Sequence, residues 1–118
     1  MLTNYAFNKD FKKYGNCYEI LDGIQINEEY LQKISGESEC KEIVLKFDNI
    51  KVAYKFDFVD GERFFTELQI RGRFNRVLFV AYKGDYIVRD KTGIYILNKQ
   101  KFEERYSMLN YEKAKLCS

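Results

Sequence analysis

Residues 43–71 read I-V-L-K-F-D-N-I-K-V-A-Y-K-F-D-F-V-D-G-E-R-F-F-T-E-L-Q-I-R. Apolar and polar residues alternate along most of this stretch, as they do in strands that keep one face on a core. Asp48-Asn49 fits a two-residue turn, because both residue types tolerate a positive φ. That turn predicts three apolar pairs across the first two strands: Phe47 with Ile50, Leu45 with Val52 and Ile43 with Tyr54.

A second turn follows at Val59-Asp60-Gly61, where a three-residue loop with Gly61 in the left-handed conformation fits. The register that it predicts pairs Phe56 with Phe64, Tyr54 with Thr66, Val52 with Leu68 and Ile50 with Ile70. The same parity places five side chains together on the face away from the core: Asp57, Phe65, Glu67, Gln69 and Arg71. The outer face of this hairpin therefore carries the first candidate site.

The rest of the chain predicts shorter elements on either side of this stretch. Helices are expected over 3–14, over Glu28–Ile34 with Asn27 as N-cap, and over 99–116 with Asn98 as N-cap. Turns are expected at Asp22-Gly23 between two strands within 17–26, at Gly84-Asp85 as a hairpin, and over 90–93, with a loop over 35–40. Residues 77–82, V-L-F-V-A-Y, are apolar throughout, which predicts a strand covered on both faces.

Together these elements predict one α+β domain, an antiparallel β-meander of about five to six strands packed by N- and C-terminal helices. The length of 118 residues suits one domain and is too short for two. No apolar run approaches the roughly 18 residues of a membrane span, so we expect no membrane partner.

The composition excludes several kinds of chemistry. The chain has no histidine, so it contains no Ser-His-Asp or Cys-His nucleophile and no histidine-ligated zinc or iron. Its three cysteines, Cys17, Cys40 and Cys117, have no C-x-x-C spacing. An odd number without that spacing predicts a reducing compartment, and hence a cytoplasmic location. We expect Cys17 and Cys40 to be buried as small apolar residues.

The hairpin F-D-F-V-D-G-E-R-F-F-T-E-L-Q-I-R over 56–71 resembles that of the PD-(D/E)XK nuclease superfamily. Asp57 matches the metal-binding Asp of that family, Gln69 matches its Glu/Gln position, and Arg71 stands where the family has Lys. The resemblance implies a nuclease in which Asp57 and Glu67 hold Mg²⁺ or Mn²⁺ and Gln69 and Arg71 complete the catalytic set. It covers about half of the chain and equally suits a relative that has lost catalysis.

A second candidate site follows in R-G-R-F-N-R over 71–76. Arginine binds phosphates through paired hydrogen bonds, glycine lets a backbone approach closely, and phenylalanine offers a ring on which a base can stack. Arg63 and Lys83 are expected nearby in the hairpins. The predicted nucleic-acid or partner surface comprises Arg63, Arg71, Arg73, Phe74, Arg76 and Lys83.

Three functions remain open from the residues. The first is a small cytoplasmic protein that binds DNA or RNA, as a nuclease or as its non-catalytic relative. The second is a non-enzymatic module, such as an inhibitor or accessory factor of viral (phage) or mobile-element origin, that binds an acidic protein surface. The third is a structural or assembly subunit, and a homodimer is compatible with each.

Overall fold

The architecture is seen in a computed structural model that describes residues 9–34, 40–47 and 49–108. The strands of this part are β1 (Lys12–Gly15), β2 (Ile20–Gln25), β3 (Glu42–Phe47), β4 (Ile50–Val59), β5 (Glu62–Arg71), β6 (Val77–Ala81), β7 (Tyr86–Asp90), β8 (Gly93–Leu97) and β9 (Ser107–Met108). The helices are α1 (Glu28–Ile34) and α2 (Lys99–Arg105), and a one-turn 3₁₀ helix covers Arg73–Asn75.

Two antiparallel sheets contain the described strands. One has five strands in the order β8-β7-β2-β1-β9, and the other has four in the order β3-β4-β5-β6. The predicted α+β class with antiparallel pairing is therefore confirmed. The predicted single meander of about five to six strands is not confirmed, because the described strands divide between two sheets: β3 to β6 pair in chain order in one, and the other strands form a second sheet with its own pairing.

The turn at Gly84-Asp85 is present, but it does not form the predicted hairpin. Asp85 N donates to Tyr82 O at 2.9 Å, and Gly84 has a φ of 99°. Ile26, just after β2, holds the turn, since its N–H donates to Asp85 O at 2.9 Å and its carbonyl accepts from Gly84 N at 2.7 Å. The chain thus crosses from one sheet to the other, and β7 pairs with β2 and β8.

The register of β3 and β4 is the one predicted. Phe47 lies opposite Ile50, Leu45 opposite Val52 and Ile43 opposite Tyr54. Asp48 lies outside the described residues, and Asn49 is in the turn. The apolar parity of this hairpin builds the core, because Leu45, Val52 and Tyr54 are all buried.

The turn between β4 and β5 is one residue shorter than predicted. Asp60 and Gly61 have φ values of 52° and 80°, so they form a two-residue turn of the kind that matches hairpin twist. Val59 therefore lies opposite Glu62, and the pairing next to the turn moves by one residue. This turn suits the sequence because Asp, here Asp60, is among the residues that enter the left-handed region most readily.

A β-bulge then restores the predicted parity. The register shifts at Thr66, which is the extra residue of β5. On the turn side of the bulge Asp57 lies opposite Phe64, and Phe65 faces Phe56 toward the core instead of sharing the outer face. The shorter turn and the bulge each move the pairing by one residue, so beyond the bulge the register differs from the predicted one by two residues. A shift of two residues keeps each side chain on its face, and Glu67, Gln69 and Arg71 therefore stay on the predicted outer face.

Two predictions for the N-terminal part are wrong. The helix expected over 3–14, whose first part lies outside the described residues, does not reach its end, because Lys12–Gly15 form β1. Asp22-Gly23 is not a turn and lies in the middle of β2. Packing explains the glycine, since a Cβ at Gly23 would lie 3.0 Å from Cδ2 of Tyr14.

Both described helices begin at their predicted caps. The side-chain oxygens of Asn27 and Asn98 accept from the backbone N–H three residues later, at 2.9 and 2.8 Å. α2 is shorter than predicted, because it ends at Arg105 and the chain continues as β9. Residues 109–116 of that prediction, like 35–39 of the predicted loop, lie outside the described residues. Neither described helix has the length and apolar character that crossing a membrane requires.

Two apolar clusters form the core. The larger one joins both sheets and α1 through Ile24, Ile26, Tyr30, Ile34, Leu45, Phe47, Val52, Tyr54, Phe56, Leu68, Ile70, Ala81 and Ile87. The smaller one packs α2 on β1, β2 and β7 through Tyr14, Leu21, Tyr86, Val88 and Phe102. The prediction of buried cysteines is wrong, because Cys17 is exposed in the loop between β1 and β2 and Cys40 is partly exposed.

β6 is not covered on both faces, contrary to the prediction. It is the edge strand of the four-stranded sheet, and β5 is its only paired neighbour among the described strands. Val77, Leu78 and Phe79 are 44%, 49% and 38% exposed, whereas Ala81 is buried. A strand needs a covering layer as well as apolar residues to be buried, and the first three residues of β6 lack one.

Candidate binding surface

The four residues of the predicted metal site lie on the outer face of the four-stranded sheet. Glu67, Gln69 and Arg71 occupy alternate positions of β5 beyond the bulge. Asp57 lies on the same face of β4 but on the turn side of the bulge, where Phe64 is opposite it. The shared face is as predicted, but the residue opposite the exposed Asp57 is Phe64, where the predicted register places Arg63.

A chain of hydrogen bonds connects the three β5 residues. Gln69 Nε2 donates to Glu67 Oε2 at 3.0 Å, and Arg71 Nε donates to Gln69 Oε1 at 2.9 Å. The Arg71 guanidinium also forms an ion pair with Glu42 of β3. These contacts orient the Arg71 side chain, which is only 11% exposed, and link β3 to β5 across the sheet.

Asp57 and Glu67 belong to no larger group of metal-binding side chains in the described part of the chain. No three Asp, Glu or Cys residues of that part are placed together so that they could hold a metal ion. The two-carboxylate site for Mg²⁺ or Mn²⁺ stays a prediction, and so do the catalytic roles of Gln69 and Arg71.

Arg63 and Lys83 line a cavity of about 290 Å³ between α1 and the β4–β5 hairpin. Arg63 Cζ lies 4.2 Å from the centroid of the Phe56 ring, and its Nη1 donates to Cys40 O at 3.5 Å. Lys83 forms an ion pair with Glu28 of α1. The predicted partner-binding residues therefore divide into separate groups, with these two at the cavity and Arg71 on the sheet face.

The remaining predicted residues form the loop between β5 and β6. Gly72 N donates to Arg76 O at 2.8 Å and Asn75 N donates to Gly72 O at 3.1 Å, which closes the loop on itself. Phe74 and Asn75 have left-handed φ values of 58° and 60°. Phe74 is 94% exposed, and Arg73 and Arg76 are exposed on either side of it. The loop therefore exposes an aromatic residue that lies between two exposed arginines in the sequence.

An apolar strip continues from this loop along β6. Val77 lies opposite Arg71 on the outer face and Phe79 opposite Ile70 on the core face, and both are exposed. Leu78 is the extra residue at a bulge. Tyr82, just after the strand, is 57% exposed. We call the following residues the β6 surface: Arg73, Phe74, Arg76, Val77, Leu78, Phe79 and Tyr82.

Gly72 lets the strand and the loop approach each other closely. A Cβ at this position would lie 2.9 Å from Cδ1 and 3.3 Å from Cγ of Leu78. A larger residue would therefore push the Leu78 side chain away from the loop backbone. The glycine that was predicted to favour approach of a ligand here permits approach of the protein's own leucine.

The apolar half of the β6 surface was missed from the sequence. An uninterrupted run such as V-L-F-V-A-Y has the same appearance in a central strand and in an uncovered edge strand. The absence of charged residues within 77–82 gave no indication of the difference. The arginine loop was found, because glycine and clustered arginines are recognisable without knowledge of the sheet order.

No family model matches the chain, and comparison with curated proteins and with solved structures also finds no match. The function of the β6 surface is therefore inferred from its geometry and chemistry.

Proposed function

We propose that this protein is a non-enzymatic module that binds another protein through the β6 surface. The observation that carries the proposal is the set of exposed apolar residues at Phe74 and Val77–Phe79, on the edge strand of a sheet and the loop before it. Apolar residues that are exposed as a patch, rather than singly, are typical of interaction surfaces. A partner that covers them gains about 25 cal/mol for each Å² of apolar area removed from water.

The conformation of Phe74 supports a role in binding rather than in stability. An L-residue in the left-handed region costs roughly 1–2 kcal/mol. A ring that is 94% exposed regains almost none of this by burial within the chain. Strained residues of this kind cluster at ligand-binding and switch regions of proteins. Phe74 therefore fits an anchor residue that becomes buried in a complex.

Arg73 and Arg76 support a partner with acidic groups. Ion pairs within the described residues engage Arg71 and Arg89 but neither of these two loop arginines. Arginine and aromatic residues are enriched among the residues that contribute most to protein interfaces. Complementary charge at the rim would also speed association.

Binding of single-stranded DNA or RNA is a second candidate, and the loop alone favours it. Phe74 can stack on a base while Arg73 and Arg76 bind the flanking phosphates. The protein would then be a non-cleaving relative of the PD-(D/E)XK nucleases, in line with the resemblance around Asp57. The aliphatic residues of β6 have no role in such a complex, and for this reason a protein partner is preferred.

Affinity capture from the native host tests the proposal. We expect the full-length chain to retain one stoichiometric protein partner after nuclease treatment, and the Phe74→Ser/Leu78→Asp variant to lose it. Tyr18→Ser is the matched control, because Tyr18 is 96% exposed in the loop between β1 and β2, outside the β6 surface. The control should retain the partner.

Two outcomes would contradict the proposal. Material that is lost on nuclease treatment, with a steep fall in affinity between ~50 and ~200 mM salt, would support nucleic-acid binding instead. A protein partner that both variants retain would show that the β6 surface is not the contact.

A further inference from the structure

β6 has the features of an edge that accepts another strand. It is the outermost strand of its sheet, and its five residues are all apolar. β8 approaches β6 without pairing with it, so no described strand satisfies the outer backbone groups of β6. Exposed edges are usually protected by charged residues, prolines or bulges. β6 contains neither of the first two.

The one protection present is confined to the first part of the strand. The bulge leaves Leu78 as the extra residue, beside the loop that Gly72 closes. The rest of β6 pairs regularly with β5, through Phe79 with Ile70, Val80 with Gln69 and Ala81 with Leu68. Of these three residues Phe79 is exposed and Val80 partly exposed, whereas Ala81 is 0% exposed, so the regular part of the edge available for backbone pairing is Phe79 and Val80.

Side chains on both faces of this edge are uncovered. Val77 is on the outer face and Phe79 on the core face, and each is more than one-third exposed. An added strand places alternate side chains on the two faces, next to those of the strand with which it pairs. Apolar residues of such a strand would cover Val77 and Phe79 together, which a ligand on one face alone cannot do.

The charges around β6 distinguish between partners. At its start Arg73 and Arg76 are exposed. Near its end Lys83 is paired with Glu28, and the Asp85 carboxylate accepts from a backbone N–H of its own turn at 2.9 Å. A second copy of β6 would add further arginines, while its nearby acids are already engaged. An acidic segment of a different protein complements the arginines better.

We propose that β6 binds an extended segment of a partner protein as a fifth strand of the four-stranded sheet. Neighbouring apolar side chains of the segment, one on each face, cover Val77 and Phe79, and its acidic residues lie beside Arg73 and Arg76. In the antiparallel orientation these acids are C-terminal to the apolar residues, because the end of the added strand meets the start of β6. This inference rests on the proposed function and specifies how its surface recognises a partner.

Selection from a displayed library of random linear peptides on the immobilised full-length chain tests the inference. We expect enrichment of consecutive apolar residues, which lie on both faces of a strand, followed by Asp or Glu. The Arg73→Glu/Arg76→Glu variant should instead enrich Lys or Arg at the same end. Only a folded variant can select peptides of the opposite charge, so this reversal would also show that the Arg73→Glu/Arg76→Glu variant folds.

The selected peptide then probes the backbone pairing directly. Its affinity is measured by fluorescence anisotropy with single amides N-methylated in turn. Methylation of the alternate amides that face β6 should weaken binding about tenfold, since each removes a hydrogen bond and adds bulk at the edge. Methylation of the intervening amides should leave the affinity unchanged.

Several outcomes would overturn strand addition. These are N-methyl effects without alternation, enriched peptides without acids, and a selection that enriches no pattern. If analytical ultracentrifugation showed a dimer that Leu78→Asp dissociates, the occupant of the edge would be a second copy of the chain. If a single-stranded oligonucleotide displaced the peptide, the occupant would be a nucleic acid. The proposed function fails separately, if the affinity capture yields no partner that depends on the β6 surface.

Discussion

Arg71 donates from Nε to Oε1 of Gln69 at 2.9 Å, and its guanidinium forms an ion pair with Glu42 on the far side of β4. Removal of Arg71 would leave both partners without their donor. Because the arginine side chain is only 11% exposed, we expect Arg71→Ala to lower the free energy of unfolding by about 1–3 kcal/mol. Urea denaturation measures this loss.

Arg73→Ala is the control for that measurement. Arg73 is an exposed arginine two residues away, and its replacement should change the free energy of unfolding by no more than about 0.5 kcal/mol. Equal losses for the two variants would show that the contacts of Arg71 contribute nothing beyond those of an exposed arginine.

The residues of the predicted metal site give a prediction about catalysis. Phe64 lies opposite Asp57, and Arg71 at the family's lysine position is engaged by Gln69 and Glu42. We therefore expect no cleavage of single- or double-stranded DNA or RNA with Mg²⁺ or Mn²⁺, measured on labelled substrates. Cleavage that Asp57→Ala abolishes and Tyr18→Ser does not would refute the non-enzymatic proposal and support the nuclease resemblance.

Two aromatic residues predict opposite effects on stability. Phe102 is 1% exposed and stacks on Tyr86 with ring centroids 3.9 Å apart, so Phe102→Ala should cost about 3–5 kcal/mol. Phe74 is 94% exposed with a left-handed φ, so Phe74→Gly should leave stability unchanged or raise it by up to about 1 kcal/mol. Thermal or urea unfolding compares them. A large loss on replacing Phe74 would mean that its ring supports the fold.

Asp22 predicts a loss of stability in acid. Burial alone would raise the pKa of its carboxyl, but hydrogen bonds from Lys13 and Arg89 lower the pKa below its ordinary value. Because the folded pKa is lowered, the contribution is present above the unfolded pKa and is lost as pH falls through the folded pKa. We expect Asp22→Asn to destabilise the protein at pH 7 and to have little effect in strong acid.

Asp10 predicts the opposite dependence of stability on pH. Burial raises the pKa of its carboxyl, and Lys33 at 3.7 Å compensates only in part. Stability that depends on the protonated form is present below the unfolded pKa and is lost as pH rises through the folded pKa. Asp10→Asn should therefore stabilise the protein at pH 7. Urea midpoints at pH 7 would contradict one of the two predictions if both variants shifted stability in the same direction, and both predictions if Asp22→Asn stabilised and Asp10→Asn destabilised the protein.

Short-range chemistry decided the parts of the fold that were predicted correctly. Asn27 and Asn98 cap their helices because the N–H group that each accepts from lies three residues away. The register of β3 and β4 follows from one tight turn and one parity of apolar residues. The arginine loop belongs here too, since Gly72 and its neighbours form a closed turn through their own backbone.

Long-range contacts decided the features that were predicted wrongly. Gly23 has the composition of a turn, but Tyr14 of the neighbouring strand requires the space that a Cβ would fill. The two-residue turn at Asp60-Gly61 places Phe64 opposite Asp57, where the predicted register places Arg63, and an extra residue at Thr66 then returns Glu67 to the outer face. Local patterns do not distinguish these outcomes, because a bulge costs little locally and its position depends on the packing of both strands.

By itself the sequence determined an α+β chain of antiparallel strands. It also determined where both described helices begin, the pairing of β3 with β4 and the basic loop after β5. Only the tertiary structure decided that the strands divide into two sheets and that β6 lies at an edge. The physical reason is that strand propensity is a property of a few neighbouring residues, whereas burial depends on which distant segments cover them. For Val77–Phe79 that difference turns an expected core strand into the exposed surface from which the function is inferred.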